Sequence, residues 1–331
     1  MASSGVRRVV LVERWGSPDV LSYQPAPLLA PARDEVQIRV AAIGVNFADV
    51  QRRRGPYPGA PQPPFVPGLE VAGIISALGA GARGFRLGDR VAAFPTAGAY
   101  ADIVNAPARV TLRLPASVDF ESGAAALTVG STAHNVLVSV GRLRRGEQVL
   151  VLSAAGGVGS VAVQLAKLYG AGRVVGAVGS QQKLAAVLAA GADAAIDYER
   201  EPLAERARAL SGGQGMDLVL DSVGARTLQE SVASLAPFGR VVVFGQSSGA
   251  APPIAFERLF PLGQSILGYS GGLERRLRPA AARAVGRRVL DMLVDGRLRI
   301  RLGARFPLSQ AAEAHRLLES RVSVGKIVLI P

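Results

Sequence analysis

The chain has 331 residues, enough for about two domains, and its 49% hydrophobic content against 19% charged residues predicts a large buried core rather than disorder. It contains no cysteine, which excludes disulfides and cysteine-ligated metals. With only His134 and His315 available, a histidine-based zinc site would need both residues and added carboxylates, so no metal site is predicted.

The formal net charge of +13 raises the question of nucleic-acid binding. All but three of the 38 basic residues are arginine, and no run of five like charges occurs. We interpret the charge first as a solvated surface with some attraction for anions. No signal-type apolar segment follows the N-terminus, and no apolar run approaches the length of a membrane span. These patterns predict a cytoplasmic protein without a membrane partner.

Short β-like segments dominate residues 1–125. Strands are predicted at 9–12, 35–41, 71–78 and 90–94, and the first long one alternates apolar and polar residues with a period of two. The proline-rich stretch 56–67 predicts a stiff, irregular loop. This part of the chain is typical of a small barrel-like β domain.

From about residue 126 strands alternate with helices. Strands are predicted at 149–153, 173–178, 194–197, 216–221 and 240–244, with helices at 158–170, 181–190, 201–210 and 225–235 between them. This rhythm indicates a parallel sheet covered on both faces. Beyond 266 the pattern predicts a strand, a helix at 279–295, an arginine-alternating strand at 297–302, a further helix and a final strand.

A glycine-rich turn follows the first strand of the alternating region. The segment Ala154–Gly159 lies between an apolar strand and a helical period, the context of a dinucleotide-binding turn. Gly156 allows the backbone to approach a pyrophosphate, and Gly159 allows the helix to pack against the strand. Ala154 stands where the first glycine of the usual pattern is found, which weakens the motif taken alone.

The end of the second strand bears on the choice of nucleotide. NAD sites usually carry an acid there for the ribose hydroxyls, but residues 178–183 contain none. Ser180 and Lys183 would instead bind a 2′-phosphate, and Tyr198 would complete the pocket. The sequence therefore favours NADPH over NADH, although Lys183 taken alone also fits an exposed residue in the first turn of a helix.

Taken together, these segments resemble the zinc-independent quinone oxidoreductase branch of the medium-chain dehydrogenase/reductase superfamily. The segments that carry the resemblance are Gly44–Asp49, Arg54–Pro58, Pro67–Gly73, Gly88–Val91, Ala154–Gly159, Asp221–Gly224 and Gly325–Pro331. The resemblance implies an α/β protein with a GroES-like β-rich catalytic domain formed by 1–125 and 266–331. It also implies a Rossmann domain, a doubly wound parallel sheet, at 126–265, and a homodimer formed through an edge strand near Ser265–Ser270.

Zinc-dependent members of this superfamily carry a cysteine where Asn46 stands and Gly-His-Glu where Gly68-Leu69-Glu70 stands. Leucine cannot bind a metal, so the resemblance implies a reaction without a Lewis acid. Alcohol oxidation is then disfavoured, whereas a conjugated acceptor already draws electrons and needs mainly orientation and hydrogen bonds.

The resemblance also implies roles for individual residues. Asn46 and Thr132 should contact the nicotinamide ribose and ring, and Tyr57 should donate a hydrogen bond or proton to the acceptor, unless it only packs its loop. Asp49 either organises Asn46 for catalysis or is an ordinary capping residue, while Glu70, His134 and His315 are expected to be structural. The expected catalytic residues are Tyr57, Asn46 and Asp49. The expected cofactor contacts are Asn46, Thr132, Ala155, Gly156, Gly157, Val158, Gly179, Ser180, Lys183, Tyr198, Ser222, Phe244, Gly245, Ser247 and Lys326.

The leading hypothesis is an NADPH-dependent, metal-free reductase that transfers hydride to a quinone or another α,β-unsaturated carbonyl compound. An enoyl-thioester reductase is the alternative within the same chemistry. A hypothesis of another class is an NADPH-responsive RNA-binding or scaffold protein, suggested by the net charge. It is disfavoured because the sequence has no basic segment with stacking aromatics.

Overall fold

A computed structural model describes residues 5–57, 59–96 and 98–331. The chain forms two compact units, one from the chain up to Ser131 together with Gly271–Pro331, and one from Thr132–Ser270. Both boundaries lie a few residues beyond those predicted at 125 and 265. Residues 1–4 of the predicted first domain, and Pro58 of the Arg54–Pro58 segment, lie outside the described residues.

The first unit is built on antiparallel β-structure. Its strands are β1 (Val6–Val12), β2 (Leu21–Pro27), β3 (Glu35–Val45), β4 (Glu70–Leu78), β5 (Arg90–Ala93), β6 (Ile103–Pro107), β7 (Thr111–Arg113), β14 (Leu302–Pro307) and β15 (Lys326–Ile330). Strands β1 and β2 pair with each other, and the larger sheet has the order β14-β15-β3-β4-β5-β7 with β6 paired to β3. Ile38, Ile43 and Ile75 lie in the core of this unit, since each is almost fully buried.

The unit also contains helices. They are α1 (Phe47–Arg54), α2 (Phe120–His134), α7 (Gly271–Leu277), α8 (Pro279–Val294) and α9 (Ala311–Glu319). Strand β15, near the C-terminus, lies between β3 and β14 and pairs with both. The first and last parts of the chain therefore form one sheet, which brings Lys326 at the start of β15 beside Val45 at the end of β3.

The second unit is a six-stranded parallel sheet. Its strands are β8 (Gln148–Leu152), β9 (Arg173–Val178), β10 (Ala194–Asp197), β11 (Met216–Asp221), β12 (Leu235–Val243) and β13 (Ser265–Gly268), and its helices are α3 (Gly157–Leu168), α4 (Leu184–Ala189), α5 (Leu203–Leu210) and α6 (Leu228–Ala233). The strand order β10-β9-β8-β11-β12-β13 reverses direction between β8 and β11. In open sheets of this kind ligands bind outside the carboxyl ends of the strands at that reversal. The predicted α/β class is confirmed, with a doubly wound parallel sheet in one unit and a β-rich structure in the other.

Local differences from the predicted elements have physical causes. The helix predicted at 181–190 begins as a 3₁₀ turn, Gln181–Lys183, before α4. The strand predicted at 297–302 is wrong: residues 297–301 are irregular, and β14 begins only at Leu302. The Leu298 N–H instead donates to Met292 O at 3.0 Å, which closes the turn after α8. None of the helices in the described residues is long and apolar enough to cross a bilayer.

Candidate active site

The glycine-rich turn joins β8 to α3 at the reversal of the sheet. Ser153 adopts φ 51°, a left-handed conformation that turns the chain sharply after the strand. A Cβ on Gly159 would lie 2.2 Å from Ser153 O and 2.7 Å from Ala154 Cα. The close packing predicted for Gly159 is therefore confirmed, because no side chain fits between helix and turn.

Gly156, in contrast, is less tightly packed than Gly159. A Cβ there would meet only Ser153 O, at 3.2 Å, and the residue is half-buried at the N-terminus of α3. Packing restricts this position at one oxygen atom only, far less than at Gly159, and its backbone fits the approach of a pyrophosphate. Gly157 and Val158 begin the helix and are half-buried as well, while Ala155 is buried.

The alanine in place of the first glycine is accommodated by a neighbouring strand. Ala154 is fully buried, and a Cβ on Gly176 of β9 would lie 2.8 Å from Ala154 Cβ. Gly176 therefore leaves the room that the Ala154 methyl group occupies. The departure from the usual pattern is compensated across the sheet and does not distort the turn.

The end of β9 carries the residues predicted to bind a 2′-phosphate. A Cβ on Gly179 would lie 2.9 Å from the Tyr198 hydroxyl and 3.1 Å from its ring, so the phenol stands directly beside this strand end. The Lys183 N–H donates to Ser180 O at 3.1 Å, which closes the 3₁₀ turn after the strand. The structure thus brings Gly179, Ser180, Lys183 and Tyr198 together, with no acid in 178–183.

The ends of β11 and β12 meet in the same way. Ser222 O accepts a hydrogen bond from the Ser247 N–H at 3.1 Å, and a Cβ on Gly245 would lie 3.0 Å from the same oxygen. Phe244 N donates to Asp221 O at 3.0 Å. The four residues predicted here, Ser222 and three from 244–247, therefore form one cluster. Their contact with a cofactor remains a prediction.

Asp221, which precedes this cluster, holds the loop in place. Its buried carboxylate accepts hydrogen bonds from the N–H groups of Val223 and Gly224 at 2.8 and 3.0 Å. The hydroxyls of Thr227 and Ser231 each donate to it at 2.8 Å. Because these partners engage both carboxylate oxygens, Asp221 has a structural role: it orders the end of the strand and the loop that follows.

In the first unit, Asn46 and Asp49 cap α1 reciprocally. The Asn46 N–H donates to Asp49 Oδ2 at 2.9 Å, and the Asn46 side chain accepts from the Asp49 N–H. Such a capping box satisfies backbone donors at a helix start. Asp49 therefore is a capping residue, and through that contact it also orients Asn46. A direct catalytic role of Asp49 remains a prediction.

The Asn46 side chain belongs to a buried ionic cluster. Lys326 Nζ donates to Val45 O at 2.8 Å, to Asn46 Oδ1 at 2.9 Å and to Glu70 Oε1 at 2.8 Å. Asn46 Nδ2 donates to the same Glu70 oxygen at 2.9 Å, and Glu70 Oε2 accepts from the Thr128 N–H at 2.7 Å. All three donors of the ammonium group are therefore used within the protein. The contact of Lys326 with a cofactor remains a prediction, and in this arrangement its ammonium group holds the Asn46 side chain.

A glycine gives the sequence signal for this cluster. A Cβ on Gly44 would lie 2.5 Å from Glu70 Oε1 and 2.4 Å from Ala124 O. Sequence reasoning treated Glu70 as structural and missed that it shares the Lys326 ammonium with Asn46. The glycine two residues before Asn46 indicates that another group approaches the backbone there.

Tyr57 lies on the loop that follows α1. It is half-buried, and the Arg52 guanidinium stands 5.8 Å from its ring centroid. Tyr57 O accepts from the Ala60 N–H at 2.9 Å, so a turn holds the backbone. Both readings of Tyr57, as a proton donor and as a packing residue of the loop, remain predictions. Thr132, near the end of α2, is half-buried, and its contact with a nicotinamide also remains a prediction.

Both histidines are buried beside tyrosines. His134 Nδ1 lies 2.8 Å from the Tyr169 hydroxyl, and His315 Nε2 lies 2.9 Å from the Tyr100 hydroxyl. His315 lies on α9 and is fully buried. Burial and, to a lesser extent, the nearby Arg53 charge together lower the pKa of His315 to about 3.

This shift gives a prediction for acid stability. The folded pKa of about 3 lies below the ordinary value of 6.5, so between these pH values the unfolded chain binds a proton that the folded chain refuses. Stability should therefore fall as the pH drops below about 6.5. Between pH 7 and pH 4, we expect the free energy of unfolding to fall less for His315→Gln than for the wild type, as measured by urea denaturation. A pH slope equal to that of the wild type would contradict this assignment.

The residues at the position of the zinc ligands do not fit a metal. The Lys326 ammonium group occupies the point between Asn46 and Glu70, and a divalent cation there would face a fixed positive charge. Leu69 offers no donor atom. Among residues 5–57, 59–96 and 98–331, no group of three or more histidine, aspartate or glutamate side chains is placed to hold a metal ion.

Comparison with known proteins agrees with this architecture. Residues 32–116 match the alcohol dehydrogenase GroES-like domain, and residues 157–286 match a family described as zinc-binding dehydrogenase. Quinone oxidoreductase 1 of Escherichia coli K12 is 36% identical over 330 residues, covering 96% of this chain and 98% of the relative. A 2-haloacrylate reductase of Burkholderia is 32% identical over 327 residues, with 97% and 98% coverage. A mycobacterial structure complexed with NADPH superimposes with a TM-score of 0.92 at 37% identity, covering 98% of this chain and all of that one.

A GroES-like unit joined to a Rossmann-type sheet with this nucleotide turn defines the medium-chain dehydrogenases/reductases. Within that superfamily the chain belongs to the quinone oxidoreductase branch, as the resemblance predicted. The description of the second matched family mentions zinc, whereas here the Lys326 ammonium group lies between Asn46 and Glu70.

Proposed function

We propose that this protein is an NADPH-dependent reductase of quinones or other α,β-unsaturated carbonyl compounds that works without a metal. The observation that carries the proposal is the acid-free end of β9, where Tyr198 stands beside Gly179 and the Ser180–Lys183 turn closes next to it. The similarity to quinone oxidoreductase 1 and to the 2-haloacrylate reductase supports the class of acceptor.

The cofactor is NADPH. The open backbone at Gly156 and the N-terminus of α3 fit a pyrophosphate, because free N–H groups and the helix dipole favour an anion there. The hydroxyl groups and the ammonium group of Ser180, Tyr198 and Lys183 fit a 2′-phosphate, which a carboxylate would repel. The similar mycobacterial structure is complexed with NADPH, in agreement with this choice.

Introducing an acid at the end of β9 tests the choice of nucleotide. We expect Ser180→Asp to weaken NADPH binding by at least about tenfold, because a carboxylate beside the 2′-phosphate places like charges together. NADH binding should change by less than about twofold. Fluorescence titration with both nucleotides measures this, and Ser180→Ala is the control for loss of the hydroxyl. An equal effect of Ser180→Asp on NADPH and NADH would contradict the proposed pocket.

The reaction needs one hydride and one proton. NADPH supplies the hydride when it is bound, and the proton reaches the reduced acceptor from a protein group or solvent. We propose that Asn46 contacts and orients the nicotinamide ribose and ring of the cofactor. Tyr57 donates a hydrogen bond or a proton to the acceptor oxygen. Hydride transfer to a conjugated acceptor creates an anion whose negative charge is delocalised onto the carbonyl oxygen. Hydrogen bonds to that oxygen therefore replace the Lewis acid that a simple ketone would need.

Steady-state assays test this function directly. NADPH oxidation is followed with a benzoquinone, a cyclic enone and a crotonyl thioester, and NADP⁺ reduction is followed with a primary alcohol. We expect turnover with the quinone or the enone, little with the alcohol, and no change after treatment with EDTA. Absence of NADPH oxidation above background with every acceptor would reject the proposal. A higher kcat/KM for the thioester would assign the enoyl-thioester alternative, and inhibition by EDTA would reject metal independence.

We further propose that two copies associate through β13, at one edge of the six-stranded sheet. The side chains of Phe238, Phe256 and Phe260, close to this edge in sequence, are 82%, 68% and 60% exposed, and the last two rings stack at 5.5 Å between centroids. Exposed aromatic groups and an edge strand close to them in sequence are typical of an interaction surface.

The double substitution Phe256→Ser with Phe260→Ser should shift the protein toward monomer in sedimentation velocity. Leu29→Ser, at a residue 65% exposed in the other unit, is the matched control and should leave the oligomeric state unchanged. A wild-type protein that sediments as a monomer at every concentration would reject the proposed association.

A further inference from the structure

A buried line of hydrogen bonds connects α9 to the start of α1. The Tyr100 hydroxyl, between β5 and β6, lies 2.9 Å from His315 Nε2 and 3.4 Å from Asp49 Oδ2. Asp49 Oδ2 in turn accepts from the Asn46 N–H at 2.9 Å. All four residues are buried, so solvent does not compete for these bonds. The function proposed for Asn46 does not by itself account for Tyr100 and His315.

The direction of these bonds follows from the unpaired ring nitrogen. His315 Nδ1 is buried and has no hydrogen-bond partner in the described part of the chain. An unpaired N–H in the interior is rarer and costlier than an unpaired acceptor. We therefore place the proton on Nε2, where it is donated to the Tyr100 oxygen, a tautomer assigned from the network. Tyr100 then has its own hydrogen available for Asp49.

A neutral His315 agrees with this direction. Burial lowers the pKa of the ring to about 3, so that one nitrogen carries hydrogen at neutral pH. Tyr100 likewise keeps its hydrogen, because burial and the charge of Asp49 raise the pKa of its phenol well above the ordinary value. The hydrogen-bond order His315 to Tyr100 to Asp49 is thus compatible with the protonation state of each member.

Asn46 is consequently held from two sides. Lys326 and Glu70 fix its side-chain amide, and Asp49 fixes its backbone N–H and accepts the bond that Tyr100 directs toward it. We propose that Tyr100 and His315 are positioning residues for hydride transfer, which act by fixing Asp49 and through it Asn46. This inference rests on the proposed function, because Asn46 is the residue assigned to the nicotinamide side.

The charge state of Asp49 provides a readout. Burial raises the pKa of its carboxyl to about 6, while Arg52, the Asn46 N–H and Lys326 act in the opposite direction. The titratable groups that face Asp49 or its partner Tyr100 come from α1, β4, β15 and α9: Arg52, Arg53, Glu70, Lys326 and His315. Loss of the Tyr100 donor removes a bond to the ionised form, so the Asp49 pKa should rise further.

The second unit contains a matched control. Tyr169 and His134 form the same type of pair, with ring centroids 5.7 Å apart and planes at 81°, against 5.7 Å and 85° for Tyr100 and His315. Their hydroxyl-to-nitrogen distance is 2.8 Å. Tyr169→Phe therefore removes an equivalent hydroxyl and leaves Asp49 unchanged.

The experiment compares Tyr100→Phe with Tyr169→Phe in the full-length protein. Thermal unfolding first establishes that both variants are folded. Steady-state kinetics with NADPH and a benzoquinone then gives kcat and KM from pH 5 to pH 8, and ¹³C NMR follows the Asp49 carboxyl over the same range. We expect Tyr100→Phe to lower kcat about fivefold with a KM within about twofold. The acid limb and the carboxyl titration should both move about half a unit to higher pH.

Further variants separate positioning from a general structural role. His315→Gln keeps an N–H near the position of Nε2 and should retain most of the activity, whereas His315→Leu should behave like Tyr100→Phe. An acid limb and carboxyl titration that are the same in Tyr100→Phe, Tyr169→Phe and wild type would overturn the inference. If none of the acceptors supports NADPH oxidation by the wild type, the proposed function is rejected. The carboxyl titration still decides independently whether Tyr100 donates a hydrogen bond to Asp49.

Discussion

Substituting alanine for Gly159 should destabilise the second unit and strongly weaken nucleotide binding. The added Cβ would lie 2.2 Å from Ser153 O and 2.7 Å from Ala154 Cα, and both atoms belong to a backbone that cannot rotate away. Overpacking of this kind costs about 1–3 kcal/mol or more, and an immovable backbone places the cost at the upper end. Urea denaturation should therefore show a loss of about 3 kcal/mol, with NADPH binding weakened well beyond tenfold.

Gly156→Ala separates packing from ligand approach. A Cβ there meets only Ser153 O at 3.2 Å, and its φ of −79° suits any residue. We expect a stability change within about 1 kcal/mol but a loss of NADPH affinity of at least about tenfold. Gly272→Ala, where nothing lies within 4 Å of the added atom, should leave the NADPH affinity unchanged and alter stability by no more than about 1 kcal/mol, through helix propensity. If Gly159→Ala and Gly156→Ala lose stability equally, the two glycines do not have the distinct roles assigned to them.

The strands of the second unit could be predicted well from sequence because their signals are local. A buried parallel strand is a short apolar run between turn residues, and β9, β10 and β11 have the predicted bounds. The arginine-alternating segment 297–302 carries the same period of two yet is irregular up to Arg301. The alternation predicted the exposure of these residues correctly, since Leu298 is buried and Arg297 is exposed. The backbone that places them so is a turn hydrogen-bonded to α8 and not a strand.

The site was only partly predictable, because much of it depends on contacts between distant parts of the chain. Asn46, Asp49 and the glycine-rich turn belong to short segments whose spacing carries a meaning. Lys326 reaches Glu70 across 256 positions, and Tyr100 reaches His315 across 215. No local pattern reports such pairs. The compensation of Ala154 by Gly176 is equally non-local, because it depends on which strands are neighbours in the sheet.

Removing the Lys326 ammonium group should have the second large effect. Lys326→Met leaves the Glu70 carboxylate buried without its cation, since both side chains are almost fully buried. Breaking a buried ion pair from one side costs about 3–5 kcal/mol, and urea denaturation at pH 7 should show a loss of that order. Asn46 also loses the donor to its Oδ1, so kcat/KM for NADPH should fall more than tenfold even where the variant remains folded.

The pH dependence and a second substitution identify the cause. An unpaired buried carboxylate has its folded pKa raised above the unfolded value, so the stability deficit is present above that folded pKa and disappears as the pH falls below the unfolded pKa. The gap between Lys326→Met and wild type should therefore narrow on acidification. Adding Glu70→Gln should restore part of the stability at pH 7 by removing the charge, but not the activity, because Asn46 stays without its ammonium partner. A deficit that is independent of pH and unchanged by Glu70→Gln would instead assign the loss to packing of the lysine stem.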